Sequence, residues 1–73
     1  MQYGDKIKEM MAYIDKIIKN QTQIKKIIIY MHALKIYGIG EKTINKLLKK
    51  YEEFNTIKIF DKHIEVIKND WPF

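Results

Sequence analysis

TIKIFDKHIEVI, from Thr56 to Ile67, changes the rhythm of the sequence that precedes it. Ile57 and Ile59 alternate with Lys58, and Ile64 and Val66 alternate with Glu65, the two-residue repeat of half-buried strands. A turn at Asp61 and Lys62 would set Phe60 opposite His63, Ile59 opposite Ile64, Lys58 opposite Glu65 and Ile57 opposite Val66. Apolar side chains then meet on one face and opposite charges on the other, as antiparallel pairing favours. Asp-Lys is a weaker turn signal than Asn-Gly, which leaves the exact register open. A hairpin over about 56–67 is expected.

Upstream of the hairpin the chain reads as three helices. Ile44, Leu47, Leu48 and Tyr51 fall at i, i+3, i+4 and i+7, a core-facing stripe on a helix over about 41–54. Lys42, Asn45, Lys46, Lys49 and Lys50 are left on the other side. A helix over about 22–37 presents Ile24, Ile27, Ile28, Met31 and Leu34 on one stripe, widened by Ile29, Tyr30 and Ile36. So broad an apolar face predicts the central, most buried helix. Gly38 ends it, because glycine tolerates the left-handed conformation that terminates helices. A first helix over about 5–19, N-capped by Asp5, carries Ile7, Met10 or Met11, Ile14, Ile17 and Ile18 at helical spacing, and the polar run NQTQ at 20–23 breaks it. The expected class is mainly α with a small two-stranded β-hairpin, one domain over 1–73 with an aromatic tail at 69–73.

Seventy-three residues lie near the lower limit at which one core holds a chain without staples, and there is no cysteine to add a disulfide or a thiolate metal site. A hydrophobic content of 47% is ample for a small core. No apolar run approaches the roughly 18 residues of a membrane span, and the polar start QYGDKIKE does not resemble a signal peptide. A cytoplasmic protein without membrane contact is expected. All fourteen basic residues are lysine, and seven of them lie in residues 22–50 against one acid, whereas residues 51–73 carry three lysines against five acids. A basic segment of this kind suits a polyanionic partner, although a charged face serving only solubility has the same composition.

Ala33 to Ile67 resembles the winged helix-turn-helix family: a helix, the turn glycine Gly38, apolar Ile39, the small capping residue Gly40, then Thr43, Ile44 and Leu47 or Leu48, with LLKKYEEFNTIKI passing from the end of a recognition helix into a wing. Two departures stand out. The family's small residue four positions before the turn glycine is here Leu34, with Ala33 one place earlier, and the second helix is longer than usual. A rival resemblance is local. ALKIYGIGEKTINKLL is similar to a helix-hairpin-helix, in which amides around Gly38 to Gly40 would hold a phosphate at a helix N-terminus. Tyr37 replaces that motif's proline, Ile44 stands where it prefers alanine, and it leaves the hairpin unexplained.

The winged resemblance implies a duplex DNA-binding protein, a small transcriptional regulator with helix 41–54 in the major groove. Lys42, Thr43, Asn45 and Lys46 would reach base edges and flanking phosphates, Asn45 pairing in bidentate fashion with adenine. Lys49 and Lys50 would meet phosphates, and Lys62 and His63 at the wing tip the backbone or minor groove. Without arginine forks, AT-rich sites are expected. The alternatives are a helix-hairpin-helix that binds nucleic acid without sequence preference, and a protein-interaction module or inhibitor with a basic face. A homodimer would form through helix 5–19, where Ile7, Met10, Ile14 and Ile17 follow heptad spacing, or through Trp71 and Phe73, which otherwise fold back over the core.

No enzyme, metal or cofactor is expected. Serine and cysteine are absent, and His32 and His63 lack triad or metal-ligand spacing. Glu52 and Glu53 are adjacent on a helix and diverge, where paired catalytic carboxylates must converge.

Overall fold

A computed structural model describes residues 2–67. It is mainly helical with a small antiparallel sheet: α1 (Tyr3–Asn20), β1 (Gln23–Lys25), α2 (Lys26–His32) running on into a π-helical segment (Ala33–Tyr37), α3 (Glu41–Glu53), β2 (Ile57–Ile59) and β3 (His63–Val66). The strands lie in the order β1-β3-β2. The tail at 69–73, with Trp71 and Phe73, lies outside the described residues.

The hairpin has the register that its alternation predicts. Ile57 pairs with Val66, Lys58 with Glu65 and Ile59 with Ile64, and the Phe60 N–H donates to the His63 carbonyl at 2.9 Å. Its sheet has three strands, not two. Ile24 pairs with Ile64 on the other side of β3, and the β1 pairing is bracketed by Val66 N–H to the Thr22 carbonyl (2.8 Å) and Lys26 N–H to the Lys62 carbonyl (2.9 Å). Residues 23–25, expected as the first turn of a helix, are therefore a strand. Ile24 is buried between exposed Gln23 and Lys25, the burial pattern of a half-buried sheet edge. At the opposite edge the outward N–H of Ile59 donates to Glu52 Oε2 at 2.8 Å, so a side chain of α3 satisfies a donor that the sheet leaves unpaired.

α1 begins two residues before Asp5. Gln2 is the N-cap, its carbonyl accepting from the N–H groups of Asp5 and Lys6, while Asp5 lies in the first turn, where the helix dipole favours a carboxylate. Met10, Ile14 and Ile17 are buried and Ile7 is packed against them. The heptad face offered above as a dimer surface is thus occupied by the core of its own chain. Tyr51 ties α3 to α1, its hydroxyl donating to Asp15 Oδ1 at 2.8 Å and lying 3.2 Å from the Met11 carbonyl. Burial, reinforced by that hydrogen bond and the Asp15 charge, pushes the Tyr51 hydroxyl well above its ordinary pKa.

α2 overturns the expected orientation. Ile27, Ile28, Met31 and Leu34 of the predicted core stripe are exposed, and so is Ile36; Ile24 is buried, but on β1, and the helix puts Ile29, from the margin of the predicted face, and Ala33 into the core, both at 0% exposure. Two features turn the helix. Starting at Lys26 removes Ile24 from the helical stripe, and the π wind, which uses about one residue more per turn than an α-helix, shifts the register beyond His32. Gly38 then ends the helix in the left-handed region at φ 66°, which a side chain would strain.

Candidate nucleic-acid interface

α3 starts at Glu41 after Gly40, whose extended backbone (φ −81°, ψ 167°) supplies an N-cap without a side-chain hydrogen bond. Ile44, Leu47 and Leu48 are buried and Tyr51 half-buried, which fixes the helix about its axis. At about 100° per residue, Lys42, Lys46 and Lys49 then fall within an arc of about 60° on the side opposite the core. All three are exposed. Thr43 and Lys50 lie on one flank of that arc and Asn45 on the other. The site residues expected on this helix are therefore split between two sides of one cationic ridge.

Asn45 faces the rest of the molecule across two grooves. The larger, about 1000 Å³, runs between the start of α2, the first turns of α3 and the hairpin turn; Lys25, Lys26, Asn45, Lys62 and His63 line it, with Ile24, Ile27 and Ile28 contributing apolar walls. Glu41 and Asp61 open onto the same groove and offset two of its three lysines, so the larger surplus of positive charge belongs to the ridge. The smaller, about 330 Å³, lies between Asn45, Lys49 and Glu52 of α3 and Lys26 and Ile59. The fold thus brings Asn45 near Lys62 and His63, which are distant in sequence, and keeps Thr43 and Lys50 apart from them.

Further contacts modify the side chains. The Tyr30 hydroxyl of α2 donates a hydrogen bond to Asn45 Oδ1. Burial raises the Tyr30 pKa, and the Glu41 carboxylate adds to the rise. His63 stacks on Phe60 with ring centroids 4.8 Å apart, and its Nε2 lies 3.2 Å from Glu65 Oε2. At the turn between α2 and α3, the N–H of Gly38 donates to the Leu34 carbonyl (3.0 Å) and that of Ile39 to the Ala33 carbonyl (3.1 Å).

No protein-family model, curated protein or solved structure matches this chain. Among the described residues no helix is long and apolar enough to cross a membrane, and no three His, Asp or Glu side chains cluster to hold a metal ion.

Lys25, Lys26 and Tyr30 were not among the residues expected at the site. The two lysines sit at the junction of β1 and α2, a boundary that a continuous helix over 22–37 conceals. Tyr30 looks in sequence like part of an apolar stripe, and its pairing with Asn45, fifteen positions away, arises only from the crossing of α2 and α3.

Proposed function

We propose that this chain is a winged helix-turn-helix protein acting in the cytoplasm as a small transcriptional regulator, with α3 in the major groove of duplex DNA and the hairpin turn along the neighbouring backbone. The observation that carries the reading is the exposed ridge of Lys42, Lys46 and Lys49, flanked by Asn45, which shares an open groove with Lys62 of the hairpin turn. Lysines so disposed meet phosphates and position the helix, and an amide on the flank supplies a base-edge contact. The sheet leaves this geometry intact, because β1 adds to the far side of β3.

The junction of α2 and α3 supports the same reading. The family places a small residue four positions before the turn glycine, where two helices approach closely. Ala33 stands five positions before Gly38, and the π wind between them absorbs the additional residue, so that alanine is fully buried and Leu34 points outward. The rival helix-hairpin-helix loses force at the same place. Its phosphate would be held by the amides of Gly38 to Gly40, and the N–H groups of Gly38 and Ile39 are already bonded to carbonyls of the preceding helix.

Titration of a labelled random-sequence duplex at two salt concentrations tests the proposal. The wild type is expected to bind, more weakly at the higher salt, and Lys46→Glu to bind more weakly at both, with a salt slope smaller by about one. Absence of binding by the wild type even at low salt sinks the proposal in favour of an interaction module whose basic face meets an acidic protein.

A further inference from the structure

The Tyr30–Asn45 pair constrains what the recognition helix can read. A neutral asparagine amide has one carbonyl oxygen, with two acceptor lone pairs, and one NH₂ group, a donor of two hydrogens, and the two point to opposite sides of the amide. Bidentate recognition of adenine needs both: the oxygen accepts from adenine N6 while the NH₂ donates to N7. In this protein the Oδ1 of Asn45 accepts the hydroxyl hydrogen of Tyr30, which holds the oxygen toward α2 and turns Nδ2 away from it. Tyr30 is only half exposed and its ring packs against the core, so the hydroxyl that orients the amide is itself anchored.

We propose that Tyr30 is a positioning residue that turns the NH₂ of Asn45, rather than its oxygen, toward the base edge, so that the recognition helix favours acceptors with no amino donor beside them at this position, guanine N7 and O6 or thymine O4, over adenine, whose N7 lies next to the N6 donor. The inference rests on the DNA-binding reading above and reverses the base expected from the amide alone.

Selection of binding sites from random duplexes, run on the wild type, Tyr30→Phe, Asn45→Asp and Asn45→Ala, tests it. The position read by Asn45 is the one at which Asn45→Ala loses discrimination. There the wild type is expected to favour guanine or thymine over adenine by about fivefold or more. Tyr30→Phe keeps the ring, frees Oδ1 and is expected to raise adenine at that position alone. Asn45→Asp, which accepts and cannot donate, is expected to move the preference toward cytosine, whose N4 is a donor. This second variant leaves Tyr30 intact, so it gives a result even if Tyr30→Phe does not fold. Adenine in the wild-type site at the Asn45 position, or identical sites for wild type and Tyr30→Phe, overturns the role of Tyr30 and leaves DNA reading in place. A wild type that enriches no sequence overturns both.

Discussion

Two helices meet at Gly38-Ile39-Gly40, and they follow their sequence patterns in opposite ways. α3 buries the stripe that its apolar spacing predicts, Ile44, Leu47 and Leu48. α2 exposes Ile27, Ile28, Met31 and Leu34 of its predicted stripe and buries Ile29, from the margin of that stripe, and Ala33. The difference lies in what stands opposite the apolar residues. Rotating α3 would drive Lys42, Lys46 or Lys49 into the core, and burying an unpaired ammonium costs far more than any gain in packing. Rotating α2 costs little of that kind, since Ile27, Ile28, Ile29, Tyr30 and Met31 surround the helix with apolar surface. With polarity silent, side-chain size decides. The fully buried position takes Ala33, and the larger Leu34 is left at 62% exposure.

The largest effect that tests this contrast comes from truncating each side of α2. Ile29→Ala removes a side chain at 0% exposure and is expected to cost about 2–5 kcal/mol, the range for large-to-small changes in a core. Leu34→Ala is expected to stay within about 0.5 kcal/mol, as exposed substitutions do. Urea unfolding of the two variants measures both. A larger loss at Leu34 than at Ile29 would mean that the expected stripe, and not the observed one, faces the core.

A smaller effect separates the two glycines of the junction. Gly38 has φ 66°, where an L side chain is strained by about 1–2 kcal/mol, so Gly38→Ala is expected to lose that much stability. Gly40 has φ −81° and a Cβ there meets nothing within 4 Å, so Gly40→Ala carries no backbone strain and is expected to lose only about 0.5 kcal/mol, the lower end of what alanine costs at an N-cap. Comparable losses at the two positions would break the assignment of one glycine as a conformational stop and the other as a cap.

The same contrast explains which parts of the molecule could be seen in the sequence. The hairpin register was legible because Ile57, Ile59, Ile64 and Val66 alternate with charges, so a one-residue slip would bury Lys58 and Glu65. α3 was legible for the equivalent reason. β1 was not, since three residues are too few to display a period and Ile24 also fits the helical stripe of Ile27, Ile28 and Met31. Its strand conformation comes from pairing with β3, about forty positions later. The cationic side of the candidate site could be read directly from Lys42, Lys46 and Lys49, whereas Tyr30 became part of it only through a tertiary contact that no spacing rule contains.

The smallest expected effect is the most specific to α2. If the π segment exists because one residue too many separates Ala33 from Gly38, then removing one exposed residue there should relax it to an α-helix. Five residues wound as a π-helix and four wound as an α-helix turn the chain through nearly the same angle, so deletion of Lys35 would leave Ala33, Tyr37 and Gly38 facing as they do now. Lys35 is exposed, and its loss removes no core atom. The deletion variant is expected to unfold within about 1 kcal/mol of the wild type, a small change for the loss of a whole helical residue. α3 contains no such slack. Deleting Lys46 would swing Leu47, Leu48 and Tyr51 about 100° relative to Ile44 and leave no folded state to melt. If the Lys35 deletion also abolished cooperative unfolding, the π wind would be an irreplaceable part of the packing, and the burial of Ala33 would need a cause other than an extra residue in the turn.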